Sequence, residues 1–243
     1  MRFDFTDPAT YAAAFAGGGP LFLLRPPALG DARRDILPAV DAAVAAGVRR
    51  VAFLSVQGAE QNPAVPHHAI ERHLEGLAAA GVASALLRAA FFMQNLSTVH
   101  AADIRDLGEI LVPAGGGRTA FVDAADVGEA AARLLLAPAA PGPAAAVGYE
   151  LTGREALTYD EVAAVLTRVL GRPVAYRHPG ALRFYRHMRR RGFARGYVGV
   201  MVALYTTARL GLAGHLSPEL EALLGRAPTD LETFARREAG AWR

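Results

Sequence analysis

Three apolar runs fix what this chain can fold into: LFLLR at 21–25, RVAFLS at 50–55 and ASALLR at 83–88. Each follows a stretch of helical spacing that stops at a glycine, at 8–16, 32–46 and 67–80. The runs are nearly continuous rather than alternating, as in strands covered on both faces. Helix followed by strand over short connections predicts the α/β class with a doubly wound parallel sheet. Pro38 is expected to interrupt or kink the second helix. Upstream, residues 3–5 read as the end of a short strand. Asp7-Pro8 then opens a helix, with Asp as N-cap and Pro in the first turn.

Beyond residue 100 the pattern loosens. EILVPAGGGRTAFVD reads as a strand pair around a glycine turn, and DAADVGEAAARLLLA as a helix. GYELTG reads as a strand, LTYDEVAAVLTRVLG as a helix capped by Gly171, and PVAYR as a strand. Residues 181–243 read as all helix, and the Ala-Pro run 138–146 as a flexible connection. With 243 residues, 52 % of them hydrophobic, the chain is expected to form one large globular domain, or a core plus a small lobe.

Composition excludes several chemistries. There is no cysteine, so disulfides and thiolate catalysis are out. All 26 basic residues are arginine. No lysine is present to form a Schiff base, to serve a phosphate loop or to complete a Tyr-x-x-x-Lys pair. The start is charged rather than apolar, and the longest apolar stretch, 197–208, is short of the ~20 residues that span a bilayer. A soluble, cytoplasmic protein is expected.

Two glycine clusters, AGGGP at 16–20 and AGGGR at 114–118, invite a phosphate-loop reading. A dinucleotide loop follows a strand and opens a helix, where free amides and the helix dipole meet the pyrophosphate. The first cluster follows a helix and the second lies between strands, so both are read as turns. PHHAIERHL at 66–74 places His67 and Glu71 on one helical face. Three readings stay open there: a solvated face, a polar pair facing a cofactor cleft, and metal ligation. Since His68 and His73 do not share that face, metal is the weakest of the three. Ser55 ends a parallel strand, where ligands bind in open α/β sheets. Residues 162–218 hold ten arginines and no acid. With a net charge of +3 and no nucleic-acid module, a solvated basic helix or one edge of a phosphorylated-ligand cleft outranks nucleic acid or a membrane surface.

Several segments together resemble the NmrA-like branch of the atypical short-chain dehydrogenases, whose members include triphenylmethane-reductase-like and quinone-reductase-like proteins. They are FDFTDPATYAAAFAG, AAVAAGVRRVAFLSVQGA, HHAIERHLEGLAAAGVASALLRAAFFMQNL, GRTAFVDAADVGEAAARLL and YELTGREALTYDEVAAVLTRVLGRPVAY, and they cover most of residues 3–177. The resemblance thus implies a Rossmann-like NAD(P)-binding core at 1–177 and a small, mostly helical substrate lobe at 178–243. The resemblance implies an NAD(P)H-dependent reductase that passes hydride to a quinone, iminium or conjugated carbonyl. A non-catalytic NAD(P)-sensing or scaffold protein is the alternative. NADP or NAD is the implied cofactor, NADPH ahead, with a small-molecule substrate; a homodimer stays open. Asp4 and Phe5 would lie against the adenine, and Leu24, Arg25 and Pro26 would flank the ribose and pyrophosphate. Ser55 would approach the nicotinamide ribose, with Ala89, Ala90, Phe91, Phe92 and Gln94 lining the nicotinamide pocket. His67 and Glu71 would be the catalytic pair, and no metal is implied.

Family members begin with two further βα units carrying a glycine-rich turn, on the order of 50–60 residues. The expectation is therefore an N-terminally truncated sheet without the usual amide cradle. Met1 would be either a misassigned start or the start of a chain that has given up ordinary cofactor binding.

Overall fold

The computed structural model describes residues 2–138 and 142–243; Met1 and residues 139–141 of the Ala-Pro run lie outside them. The chain divides into two compact units, residues 1–89 with 127–151 and residues 90–126 with 152–243.

The first unit is a Rossmann-like parallel sheet with flanking helices. Its strands are β1 (Leu21–Leu24), β2 (Arg50–Val56), β3 (Ala83–Ala89) and, after a long excursion of the chain, Ala146–Leu151. They stand in that order, all parallel. The helices are α1 (Tyr11–Phe15), α2 (Ala32–Asp35), α3 (Leu37–Ala45) and α4 (Pro66–Gly76). Ile36, Val40 and Ala43 from the α2–α3 segment pack with Val51 and Phe53 of β2, Ile70 and Leu74 of α4, and Leu86 of β3. Burying these side chains contributes ~1.5–3 kcal/mol for each large one.

Helix 32–46 breaks at Ile36, so that Pro38 falls in the first turn of α3, where its missing N–H costs nothing. Asp7 accepts from the Ala9 amide at 3.1 Å and caps the turn that leads into α1. Residues 3–5, expected as a strand, are not one. A strand needs a neighbour to take its hydrogen bonds. The Asp4 amide donates instead to Thr10 Oγ1 at 3.1 Å, within a local turn.

The second unit holds short strands and most of the helix. In chain order these are β4 (Phe91–Phe92), α5 (Gln94–Ser97), β5 (Glu109–Ile110) and β6 (Thr119–Val122). Helix α6 (Ala124–Leu136) then leads out, and the strand at Ala146–Leu151, β7, closes the first unit. There follow β8 (Ala156–Leu157), α7 (Tyr159–Leu170), β9 (Ala175–Tyr176), α8 (Ala181–Arg190), α9 (Arg195–Arg209), α10 (Glu219–Leu224) and α11 (Leu231–Arg237).

The run EILVPAGGGRTAFVD does not form the expected strand pair. Its β5 pairs with β9, and its β6 pairs with β4 and β8. The glycines between them serve a close approach: a Cβ on Gly117 would lie 1.8 Å from the Ala208 carbonyl oxygen. The 177/178 boundary also falls inside this unit. Tyr159, Val162 and Leu166 of α7 share one core with Phe184, Met188, Val198, Phe234 and Trp242, so α7 and the C-terminal helices cannot be separated. Among the described residues no helix is long and apolar enough to cross a membrane.

Candidate functional site

In the first unit the carboxyl ends of β1 and β2 lead into loops whose polar side chains carry buried atoms without partners among the described residues. Arg25 follows β1. Two prolines come next, and the chain turns so that Arg25 Nη1 donates to the carbonyls of Pro26 at 3.0 Å and Leu29 at 2.8 Å. That fixes one side of the guanidinium. Its Nε is buried and has no partner among the described residues. Burial lowers the pKa of Arg25.

Gln57 follows β2. Its main-chain amide extends the ladder to β3 by donating to the Ala89 carbonyl at 3.1 Å, while its side-chain Nε2 is buried without a partner among the described residues. His67 stands in the first turn of α4, its ring stacked on Phe53 with centroids 5.9 Å apart. Neither ring nitrogen is hydrogen-bonded to the described residues. Burial first, and the charge of Arg25 second, push its pKa down to about 4. The imidazole is therefore neutral at physiological pH.

One turn further along α4, Glu71 is buried and fully engaged. Ser55 Oγ donates to its Oε1, and Arg88 on β3 donates from Nη2 to Oε2 at 2.8 Å and from Nε at 3.2 Å. Glu60 lies 3.3 Å and Glu150 3.7 Å from the same guanidinium. Burial works against the charge of Arg88, but the bonds and charge of Glu71, joined by Glu60 and Glu150, outweigh it and raise its pKa. Gly148 on β7 makes the space, since a Cβ there would lie 2.9 Å from the guanidinium. The expected pair His67 and Glu71 thus shares a helix but no bond, and each meets different neighbours.

The other residues expected at a cofactor site fall in several settings. Asp4 accepts from the Thr6 amide at 2.8 Å and hydroxyl at 2.7 Å, which lowers its pKa. Phe5 lies against Phe3 with ring centroids 4.8 Å apart, and its carbonyl accepts from the Tyr11 hydroxyl. Leu24 is half exposed, Pro26 holds Arg25, and Ala89 is buried at the end of β3. In the second unit Ala90 is buried and Phe91 and Phe92 are partly buried in β4, Phe91 against Tyr205. Gln94 is spent on the fold. Its Nε2 donates to Asp123 at 2.7 Å, and its Oε1 accepts from the Ala124 amide that opens α6.

His68 bonds the Ala59 carbonyl and His73 bonds Asp41, so the three histidines of PHHAIERHL point to three different neighbourhoods. The arginine-rich run is partly consumed as well. Arg191 and His187 bind buried Asp103, and Arg172 donates to the carbonyls of Ile104 and Trp242. Sequence reasoning passed over Arg88 and Gln57. The first had a signal: a lone charge in an apolar strand needs a buried partner. The second had none, since a polar residue after a strand is ordinary.

Residues 1–217 match the NmrA-like family. Agroclavine dehydrogenase of Claviceps fusiformis is 30 % identical over 250 residues, covering 99 % of this chain and 83 % of that protein. NAD(P)H azoreductase of Xenophilus azovorans is 28 % identical, over 98 % and 82 % of the two chains. The Escherichia coli NADPH-dependent quinone oxidoreductase QOR2, solved with NADPH, superposes with a TM-score of 0.82 at 26 % identity, over 100 % and 83 %. Triphenylmethane reductase of Citrobacter sp., solved with NADP(H), has the same fold, with a TM-score of 0.80 at 23 % identity over 97 % and 82 %.

Proposed function

The chain belongs to the NmrA-like family, and from that premise we propose that it is an NAD(P)H-dependent oxidoreductase acting on a small electrophile such as a quinone, an iminium or a conjugated carbonyl. The observation that carries this reading is the set of unpartnered groups at the carboxyl ends of β1 and β2, where open parallel sheets bind their ligands. A buried guanidinium Nε without an acceptor fits an anionic oxygen, and a dinucleotide brings several. Among the described residues neither glycine cluster follows a strand to open a helix, so the fit rests on Arg25 and its neighbours rather than on an amide cradle.

When bound, the nicotinamide would supply the hydride. The chain's own residues bind, orient and handle the proton. Arg25, already fixed through Nη1, presents Nε to an oxyanion without having to reorganise. His67, neutral and stacked on Phe53, has both ring nitrogens free to hold the acceptor and to pass on a solvent proton. Glu71 takes no part in proton movement, because Ser55 and Arg88 occupy its oxygens. It fixes the helix on which His67 stands. Among the described residues none replaces the Tyr–Lys pair that deprotonates alcohols, which suits reduction of activated electrophiles.

The test is NADPH and NADH oxidation by the purified chain with a quinone, an iminium or an azo acceptor, for wild type and H67Q. The expected result is acceptor-dependent NADPH oxidation, with kcat lowered about a hundredfold in H67Q, as for loss of a general acid–base group. Tight NADPH binding without turnover on any acceptor would replace the reductase by a sensor. Absence of binding would overturn the dinucleotide reading itself.

A further inference from the structure

The resemblance assigns the polar contact with the nicotinamide ribose to Ser55, and the structure leaves that hydroxyl no freedom to make it. Ser55 is 1 % exposed, and its proton is committed to Glu71. Two residues on, the β2–β3 ladder still holds, since the Gln57 amide donates to the Ala89 carbonyl. Gln57 is thus the first residue past the carboxyl end of β2, one step beyond the paired Val56 and Ala89. Its Nε2 is buried with no acceptor among the described residues.

Folded proteins seldom leave such a donor unpaired, because its lost hydration is not repaid. Arg25 Nε, just past the end of the adjacent strand β1, is in the same condition. The remaining unpaired donors lie elsewhere, for example Ser84 near the start of β3 and His100 in the second unit. Two orphan donors past the carboxyl ends of neighbouring parallel strands mark one ligand edge.

We propose that Gln57 is a ligand-binding residue of this protein, donating its side-chain amide to an oxygen of the nicotinamide half of the dinucleotide in the place the resemblance gives to Ser55. The inference rests on the NAD(P)H reading above. It assigns the chain's own polar contact to a residue with no feature in the sequence to single it out. An uncharged carboxamide is well matched to such a contact, since it orients a ribose or amide oxygen while Arg25 meets the anionic part. Leucine at this position fills similar volume and removes both amide functions.

NADPH binding to the purified chain, followed by fluorescence titration and by the rise in melting temperature on adding NADPH, separates the outcomes. Q57L is expected to raise the Kd for NADPH about tenfold, the loss of one well-made hydrogen bond. Its melting temperature without ligand should equal or exceed that of wild type, since an unpaired buried donor is gone; a Gln that only supports the fold would lower it. Q57E, which keeps the shape but turns a donor into a charged acceptor, is expected to bind at least as weakly as Q57L. Wild-type affinity in Q57L would overturn the assignment, and so would weakening in S55A alone, which returns the contact to the serine. If the wild type binds neither NADPH nor NADH, it is the dinucleotide reading that fails, and this assignment falls with it.

Discussion

His67 and Glu71 lie one turn apart on α4 and meet opposite surroundings. Around Glu71 both carboxylate oxygens are spoken for: a serine hydroxyl on one, a guanidinium across both, and two further carboxylates beside that guanidinium, Glu60 at its Nε and Glu150 at its Nη1. Neither ring nitrogen of His67 has a hydrogen-bond partner among the described residues. The ring has an aromatic face beneath it, two free nitrogens, and a positive charge that discourages its protonation. Buried groups with complete partners hold a fold, whereas groups left incomplete at a strand's carboxyl end await a ligand. Helical spacing alone makes the two residues look like one catalytic pair. Their partners separate them.

The comparison breaks most visibly at Arg88. Replacing it by methionine keeps an unbranched apolar stem, removes the guanidinium and strands Glu71, with Glu60 and Glu150 close by. Breaking a buried pair from one side typically costs about 3–5 kcal/mol. Urea unfolding of R88M should show a loss of that order, and R88K, which retains one charge, a smaller one. A loss below about 1 kcal/mol in R88M would mean that the cluster is not what holds α4 to the sheet.

His67 should show its isolation through pH. In the unfolded chain it titrates near 6.5 and in the folded protein near 4. Above pH 6.5 both states are neutral and the residue contributes nothing to the pH dependence. Between 6.5 and 4 the unfolded chain takes up a proton that the folded state refuses, so stability falls as the pH is lowered. The ceiling on that fall is about 3 kcal/mol, at ~1.4 kcal/mol per pKa unit, and the partial exposure of the ring reduces it. Melting temperatures of wild type and H67Q should run parallel above pH 7 and diverge below it, wild type falling faster. His100, buried with a pKa near 3, adds the same sign of acid sensitivity to both proteins and cancels in the difference. Parallel curves down to pH 4 would place His67 in an ordinary solvated setting.

How much of this could be read beforehand differs between the two units. Strands β2 and β3 announce themselves because both of their faces are covered, so RVAFLS and ASALLR are nearly continuous apolar runs. The helix stops at Gly81 and Gly171 are equally plain, as both residues adopt the left-handed conformation that glycine tolerates. The second unit resists such reading. Its strands β5 and β6 are two and four residues long, and their partners β9 and β8 come from well down the chain. No local pattern records such a pairing. Residues 3–5 have the composition of a strand but no neighbour to make them one. At the site, spacing showed that His67 and Glu71 share a helix but not which atoms they meet. Arg88 was the available clue to Glu71, and Gln57 becomes visible only when the hydrogen bonds of its side chain are counted.

The smallest effect is expected where the two readings of Glu71 differ most. E71Q keeps the shape and an oxygen for Arg88 while removing the negative charge. The guanidinium is not stranded, because Glu60 and Glu150 remain within 3.3 and 3.7 Å. The cost in stability should therefore stay near ~1 kcal/mol, that of weakening one charge-assisted bond. A group that moved protons would lose about 10²–10⁴ in rate on the same change. If Glu71 only fixes α4, kcat in E71Q should fall no more than severalfold and remain far above that of H67Q, with the pH–rate profile unmoved. A fall in E71Q as deep as in H67Q would restore the two as one catalytic pair, and the difference between their surroundings would then describe the resting protein rather than the working one.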